Sequence, residues 1–234
     1  MKTITLPGLQ PHRFHFHLPF GRVHVSVLLL LLGGMVQAQS PGELDTSFNP
    51  GTGADWRVLG IARQADGKLV VGGQFSTFNG QRRNRITRLN ENGSTDFTFD
   101  PGNGPDSSVN AVALTPDGKI IVAGDFNSFN GVPRLHLARL NANGSVDPAF
   151  APSPGVDGTV QAVVVQPDGR LLIAGGFSSV NGTSRSRVAR LNPDGSLDTD
   201  FDPGTGPNGT VLAIVLQNDG KILIGGYFGS VNGT

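Results

Sequence analysis

A block of 51 residues recurs in this chain without a gap. The pairs Asp66-Gly67, Asp117-Gly118, Asp168-Gly169 and Asp219-Gly220 stand 51 residues apart. Three other columns keep the same spacing: Phe75/Phe126/Phe177/Phe228, Phe48/Phe99/Phe150/Phe201 and Asn79/Asn130/Asn181/Asn232. A fixed period of this length marks a repeat architecture, in which each unit buries its apolar surface against its neighbours. The register gives units at 58–108, 109–159 and 160–210, a truncated unit at 211–234, and the tail of a unit at 39–57.

Each unit reads as four short strands. In the third copy these are "TVQAVVVQ", "RLLIAGGF", "SRVARLN" and "SLDTDF". They are separated by Pro167-Asp168-Gly169, by a loop through Asn181-Gly182, and by Pro193-Asp194-Gly195. Asp-Gly and Asn-Gly between apolar runs signal hairpins, because both residues tolerate positive φ. No stretch keeps a helical period. "LLIAGG" and "AVVV" are almost continuously apolar, as in strands covered on both faces, whereas "LDTDF" alternates as if one side were wet. A sheet with two apolar faces must stack against copies of itself. Radial stacking gives an all-β fold, a β-propeller of tandem four-stranded antiparallel blades. A parallel β-helix is disfavoured, since its coils do not need three tight hairpin turns per unit.

The stretch "QPDGRLLIAGGFSSVNGTSRSRVARLNPDGSLDTDFDPGTG" closely resembles the delta-60 repeat, a module of bacterial extracellular proteins described as a β-propeller repeat. The resemblance spans 41–234, and its Gly-Gly after an apolar strand is also similar to a Kelch blade without the later aromatics. It implies a propeller on an exported protein, and it supplies no established activity or catalytic residues to carry over to this chain.

Residues 1–38 differ from the rest. Lys2, Arg13 and Arg22 precede the apolar run Val25–Leu32, and Val36 and Ala38 fit the small-residue pattern of a cleavage site. We read a signal peptide cut after Ala38, which implies a secreted or cell-surface location and no membrane span once it is removed. A retained anchor is the alternative reading, although the apolar run is short for a bilayer. The remainder carries 15 Lys+Arg against 18 Asp+Glu, a net charge of −3, and His136 as its one histidine. That balance disfavours nucleic-acid partners and most His-dependent catalysis. Cysteine is absent, so disulfides and thiolate sites are excluded.

Counting strands gives fifteen where a closed four-bladed ring needs sixteen, the counterpart of "SRVARLN" in the last unit being the one missing. An open apolar edge is an aggregation hazard. The expectation is the N-terminal part of a longer product that runs into further blades and a sorting or anchoring region. Residues 39–57 then act as the closing strand, with 41–49 pairing a third-type strand at the far end.

Several residue patterns invite a chemical reading. Asp198, Asp200 and Asp202 alternate like calcium ligands, but the second copy reads Asp147/Ala149/Ala151 and only the first position recurs. Retaining glycosidases place two carboxyls about 5–5.5 Å apart, yet Asp198 and Asp200 are expected on the solvent side of an edge strand, without the apolar surroundings of a general acid. Neither a metal site nor a cofactor is expected. The Asp-Gly pairs fit turn chemistry. Gly73, Gly124, Gly175 and Gly226 lie within strands, where a phosphate loop would need a helix to follow, and suit close backbone approach between blades. Two arginine columns, Arg83/Arg134/Arg185 and Arg88/Arg139/Arg190, suit structural pairing between blades with Asp45, Asp96, Asp147 and Asp198. A guanidinium ring binding a polyanion is the alternative. The Asn-Gly-Ser/Thr matches at Asn92, Asn143, Asn181, Asn208 and Asn232 follow from turn composition.

Ligand contact is expected on the face carrying the second-to-third and inter-blade loops, which are longer and vary between copies. Trp56, Arg57, Arg82 and His136 are the first candidates there, and Gln74, Asp125, Gly176 and Tyr227 are a second set. The functional expectation is a non-catalytic interaction or structural scaffold whose partner is an unspecified protein or glycan. A secreted polysaccharide hydrolase or lyase, with its chemistry in the channel or in a C-terminal region, is the alternative.

Overall fold

The structure is a computed structural model that describes residues 43–150 and 152–234. Residues 1–38, read above as a signal peptide with its expected cut after Ala38, lie outside those residues, as do positions 39–42. In the first copy β1 (Val58–Arg63), β2 (Leu69–Gly73), β3 (Thr77–Phe78), β4 (Gln81–Arg82) and β5 (Ile86–Leu89) follow one another. The second copy repeats them as β6 (Val109–Leu114), β7 (Ile120–Gly124), β8 (Ser128–Phe129), β9 (Val132–Pro133) and β10 (Leu137–Leu140). The third does so as β11 (Val160–Val165), β12 (Leu171–Gly175), β13 (Ser179–Val180), β14 (Thr183–Ser184) and β15 (Val188–Leu191), and β16 (Thr210–Leu216) and β17 (Ile222–Tyr227) belong to the fourth. No helix occurs among the described residues.

The first, second and fifth strands of each full copy form an antiparallel sheet in that order. The fourth-strand segment extends the outer edge through one bridge: Leu89 to Thr95, Leu140 to Val146, and Leu191 to Leu197. The Asn-Gly loop is itself a small hairpin, β3–β4 in the first copy, and the inter-blade linker joins it as a third strand through Ala54 to Phe78. The turns follow the residues that code for them. At the first tip, Gly67 sits at φ 83° and donates its N–H to Gln64 O, while Asp66 Oδ1 accepts the N–H of Lys68.

The four sheets pack face to face with their first strands adjacent, β1 beside β6, β6 beside β11 and β11 beside β16. Each interface has its own core. Val70, Ile86 and Phe99 of the first copy meet Ile120, Val122, Phe126 and Phe129 of the second. Ile121, Leu137 and Phe150 then meet Leu171, Ile173 and Phe177, and Leu172 and Val188 meet Val211 and Ile214. β7 and β12 are buried along their whole length, which explains their unbroken apolar sequence. Each fully buried Phe, Leu or Ile contributes about 1.5–3 kcal/mol, so the wedge between two sheets is the main source of stability.

The described residues make an open arc. On β1, Leu59 and Ile61 are 44% and 61% exposed, and on β16–β17 Val215 and Leu223 are 55% and 54% exposed. Residues 44–57 seat on the first blade, with the Asn49 N–H bonded to Asn92 O and Phe48 packed against Phe75, Phe78 and Leu89. Asp100 bonds Asn143 O at the next interface in the same way.

The glycine column needs one correction. The close approach at Gly73, Gly124, Gly175 and Gly226 is to the first strand of the same blade. A Cβ at Gly124 would stand 1.9 Å from Ser108 O, and one at Gly73 2.1 Å from Arg57 O. The cause is a register shift at the start of each first strand, which presses a carbonyl onto the end of the second strand.

Candidate functional site

The loops that follow the second strands and the linkers that enter the first strands emerge at one end of the sheets. A carboxylate organises them in the first three copies, and in the fourth Asn208 Oδ1 accepts the N–H groups of Gly229 and Ser230. Asp55 Oδ1 accepts the N–H groups of Ser76 and Thr77 at 2.8 and 3.0 Å while Oδ2 accepts the Ser76 hydroxyl. Asp106 does the same for Asn127 and Ser128, and Asp157 for Ser178 and Ser179. At Asp157 burial opposes ionisation, but these donors outweigh it and hold the carboxyl at about 2. At the exposed Asp55 the Ser76 hydroxyl and the backbone donors also bring it to about 2.

The hairpin that follows is locked by the recurrent asparagine. Asn79, Asn130 and Asn181 adopt φ of 50–53°, and their side-chain oxygens accept the N–H of Gly53, Gly104 and Gly155 in the preceding linker. The chain then enters the next strand through Arg85, His136 and Arg187, all at φ of 61–66°. Large side chains are rare in that region. Here the geometry is fixed on both sides, since the N–H of Arg85 bonds Phe75 O and its carbonyl accepts from Gly73.

The first candidate set occupies this end without converging. Trp56 is 63% exposed, and Arg57 and Arg82 are also exposed. His136 is half-buried, with Nδ1 3.1 Å from Gly124 O. The second set forms contacts from blade to blade around the first strands. Gln74 Nε2 donates to Ser108 Oγ at 3.4 Å, Thr159 Oγ1 donates to Asp125, and Gly176 lies against Thr210. Tyr227 closes this series at 78% exposure.

The two arginine columns behave differently. Arg88, Arg139 and Arg190 donate from Nε to Asp96, Asp147 and Asp198 at 2.8, 2.7 and 2.7 Å. Each lies 4.9–5.0 Å over Phe99, Phe150 or Phe201. Lys68, Lys119 and Arg170 add a second cation to the same carboxylates at 2.9, 2.6 and 3.3 Å. Two expectations are thereby corrected. The ion pairs join residues of one blade, eight positions apart, because the chain turns back within that distance. The link between blades is instead Arg88 Nη1 to Ala142 O at 2.6 Å and Arg139 Nη1 to Pro193 O. Asp198 is also only 4% exposed, since its carboxylate folds back onto Arg190 and the Asp200 N–H. Burial opposes ionisation at these aspartates, but at Asp147 the Lys119, Ala149 and Arg139 donors bring the carboxyl to about 2. Asp96 and Asp198 shift the same way for corresponding reasons. Among the described residues Asp45 has no such arginine, and its carboxylate accepts from Ser47.

Arg83, Arg134 and Arg185 have no carboxylate partner among the described residues. Each donates Nη1 to the carbonyl just before it, Arg82 O, Pro133 O or Ser184 O, and leaves Nε buried without an acceptor. Arg83 also lies 5.3 Å over the exposed ring of Phe97. The chain as a whole after residue 38 is acidic, yet these loops hold seven of its 15 Lys+Arg against four carboxylates, Asp55, Asp106, Asp125 and Asp157. Even spacing in the sequence conceals this separation, because strand reversals send alternate connections to opposite ends.

Sequence reasoning missed the Lys68/Lys119/Arg170 column, the loop-capping aspartates and the left-handed Arg85/His136/Arg187 column. The first was visible as a cation two residues after every Asp-Gly aspartate. Among the described residues no three His, Asp or Glu side chains are placed to hold a metal ion, and no helix is long and apolar enough to cross a membrane. A cavity of about 610 Å³ lies at the opposite end, between residues 44–50 and the loop at Glu91.

Wedge-packed antiparallel sheets with variable loops at one end define a β-propeller repeat domain. The family described as "Domain of unknown function (DUF5122) beta-propeller" matches residues 64–99, 115–150, 166–201 and 217–234. The chain belongs to this family. A WD domain, G-beta repeat, matches 93–132 as well. No curated protein matches. Among solved structures, virginiamycin B lyase from Staphylococcus aureus is similar at 17% identity and a TM-score of 0.45, over 71% of this chain and 48% of that one. The extracellular domain of a presumed hybrid two-component system from B. thetaiotaomicron is similar at 16% identity and a TM-score of 0.44, over 74% and 21%. A presumed gluconolactonase is similar at 19% identity and 0.41, over 70% and 53%. The chain therefore spans about half or less of the length of the first two structures.

Proposed function

We propose that this chain is a non-catalytic binding module, a delta-60-type propeller of an exported bacterial protein, which presents its second-to-third and inter-blade loops to a ligand. One observation carries the reading. The carboxylates organising those loops, Asp55, Asp106 and Asp157, are occupied by the amides and hydroxyls of their own loops and are held below the ordinary carboxylate range. A general acid needs the reverse, a raised pKa and a proton free to transfer. What the end offers instead is exposed contact groups on a rigid frame: Trp56, Arg57, Arg82 and Tyr227.

The test is to incubate the chain with a panel of neutral and acidic polysaccharides and measure both bound polymer and newly formed reducing or unsaturated ends. Binding without new ends supports the module. Turnover that survives repurification supports the hydrolase or lyase alternative and ends this reading. Export is checked separately by N-terminal sequencing of the extracellular product, which is expected to begin at Gln39.

A further inference from the structure

Two arginine columns with one period have been put to different uses. Arg88 and Arg139 are each neutralised three times over, by a carboxylate, an aromatic face and a carbonyl, and Arg190 meets a carboxylate and an aromatic face. The Arg83 column has no carboxylate partner among the described residues, and only a neighbouring carbonyl and, at Arg83, the face of Phe97 meet it. In all three full blades its guanidinium spends one N–H on the preceding carbonyl, keeps Nε buried with no acceptor, and meets no carboxylate among the described residues. A charge left uncompensated at the same place in consecutive blades is a constant feature of the loop end. Its neighbours reinforce it. Arg82, Arg85 and Arg187 stand on the same loops, and Arg85 and Arg187 occupy left-handed backbone where glycine would cost less.

We propose that Arg83, Arg134 and Arg185 form an anion-binding track that follows the arc of the blades and that its ligand is an acidic polysaccharide, bound through carboxylate or sulfate groups. This rests on the binding-module reading and names the ligand class. Guanidinium forks recognise planar or tetrahedral oxyanions through paired N–H donors. Spacing decides which polyanion fits. Packed sheets stand about 10 Å apart, so equivalent arginines of adjacent blades are at least that far from one another. Phosphates along one nucleic-acid strand recur every ~3.4 Å and call for a denser cationic strip. A glycan whose acidic groups are separated by more than one sugar matches a set of charges delivered once per blade. The exposed rings of Trp56 and Phe97 give the flat faces on which sugar rings pack.

The test uses the full chain, with polygalacturonate and chondroitin sulfate as acidic probes and dextran, duplex DNA and anionic phospholipid vesicles as comparators, in titration calorimetry at low and high salt. Binding to at least one acidic glycan is expected, weakening with salt. The triple variant Arg83→Gln/Arg134→Gln/Arg185→Gln is expected to lose at least about tenfold in affinity with an unchanged melting temperature. A triple Arg→Lys variant, which keeps the charge but loses the fork, is expected to fall between the two and serves as the variant of record if the first does not fold. Failure to bind either acidic glycan, equal affinity in the triple variant, or tighter binding to DNA or vesicles overturns the proposal. Binding to dextran alone overturns the track while leaving a binding module. Cleavage of a bound acidic glycan leaves the track and overturns the non-catalytic reading.

Discussion

Arg139 and Asp147 meet at 2.7 Å inside one blade, and the same guanidinium reaches Pro193 O in the next. One side chain therefore fixes a turn and docks two sheets. Removing the carboxylate in Asp147→Ala leaves Arg139 and Lys119 facing each other with nothing between them. Breaking such a buried pair costs about 3–5 kcal/mol. Arg139→Lys keeps the charge and loses the fork and the stacking on Phe150, for an expected loss of about 1–2 kcal/mol. Urea unfolding midpoints measured side by side order the variants as wild type, then Arg139→Lys, then Asp147→Ala.

The same network predicts a pH response. Asp147 is held at about 2 when folded, against an ordinary 3.8. Below about pH 4 the unfolded chain therefore takes up more protons than the folded one, and stability falls. The contribution is fully present above that pH and is gone near pH 2, amounting to roughly 2 kcal/mol for this group alone. Asp96 and Asp198 shift in the same direction and steepen the decline. Thermal unfolding between pH 2 and 7 should show a plateau above about pH 4–5 and a drop below it. A flat profile contradicts the ion-paired arrangement.

Gly124 has no room for a methyl group, because a Cβ there would meet the backbone oxygen of Ser108 at 1.9 Å. Backbone cannot rotate aside as a side chain does. Gly124→Ala is expected to destabilise by at least ~3 kcal/mol, at the upper end of overpacking effects. At Gly118, where nothing lies within 4 Å but φ is 80°, the loss comes from backbone strain and is expected near ~1 kcal/mol. Paired denaturation curves check the difference.

Asp157→Ala removes the acceptor for two loop amides and one hydroxyl at an exposed site. Global stability should change little, since no core contact is touched. The Ser178–Ser184 loop should instead open locally, raising amide exchange at Ser178 and Ser179. Equal exchange in both proteins would show that the loop holds without its cap.

The repeat, the hairpin turns and the buried strands were legible because each depends on local chemistry copied at a constant interval. Asp-Gly writes a tight turn, and "LLIAG" writes a strand with no wet side. The partnership of Arg139 was half legible: its period announced a structural role, but periodicity cannot distinguish a partner eight residues away from one in the next copy. The buried state of Asp198 was hidden for a related reason. Its alternating sequence predicts one exposed row, whereas the chain leaves the sheet after one bridge and folds the carboxylate inward. The unpaired Arg83 column was invisible as such, because the absence of a partner is a fact of three dimensions.

Arg88 crosses from the first blade to the second and Arg139 from the second to the third, which makes those two joints the same kind of joint. Pulled from its two ends, such a chain should yield in equal steps, each releasing about 17 nm for 51 residues at roughly 3.4 Å apiece. A string of identical clasps stretches like a ratchet, and the force at each tooth reads out the strength of one guanidinium and one wedge of phenylalanine.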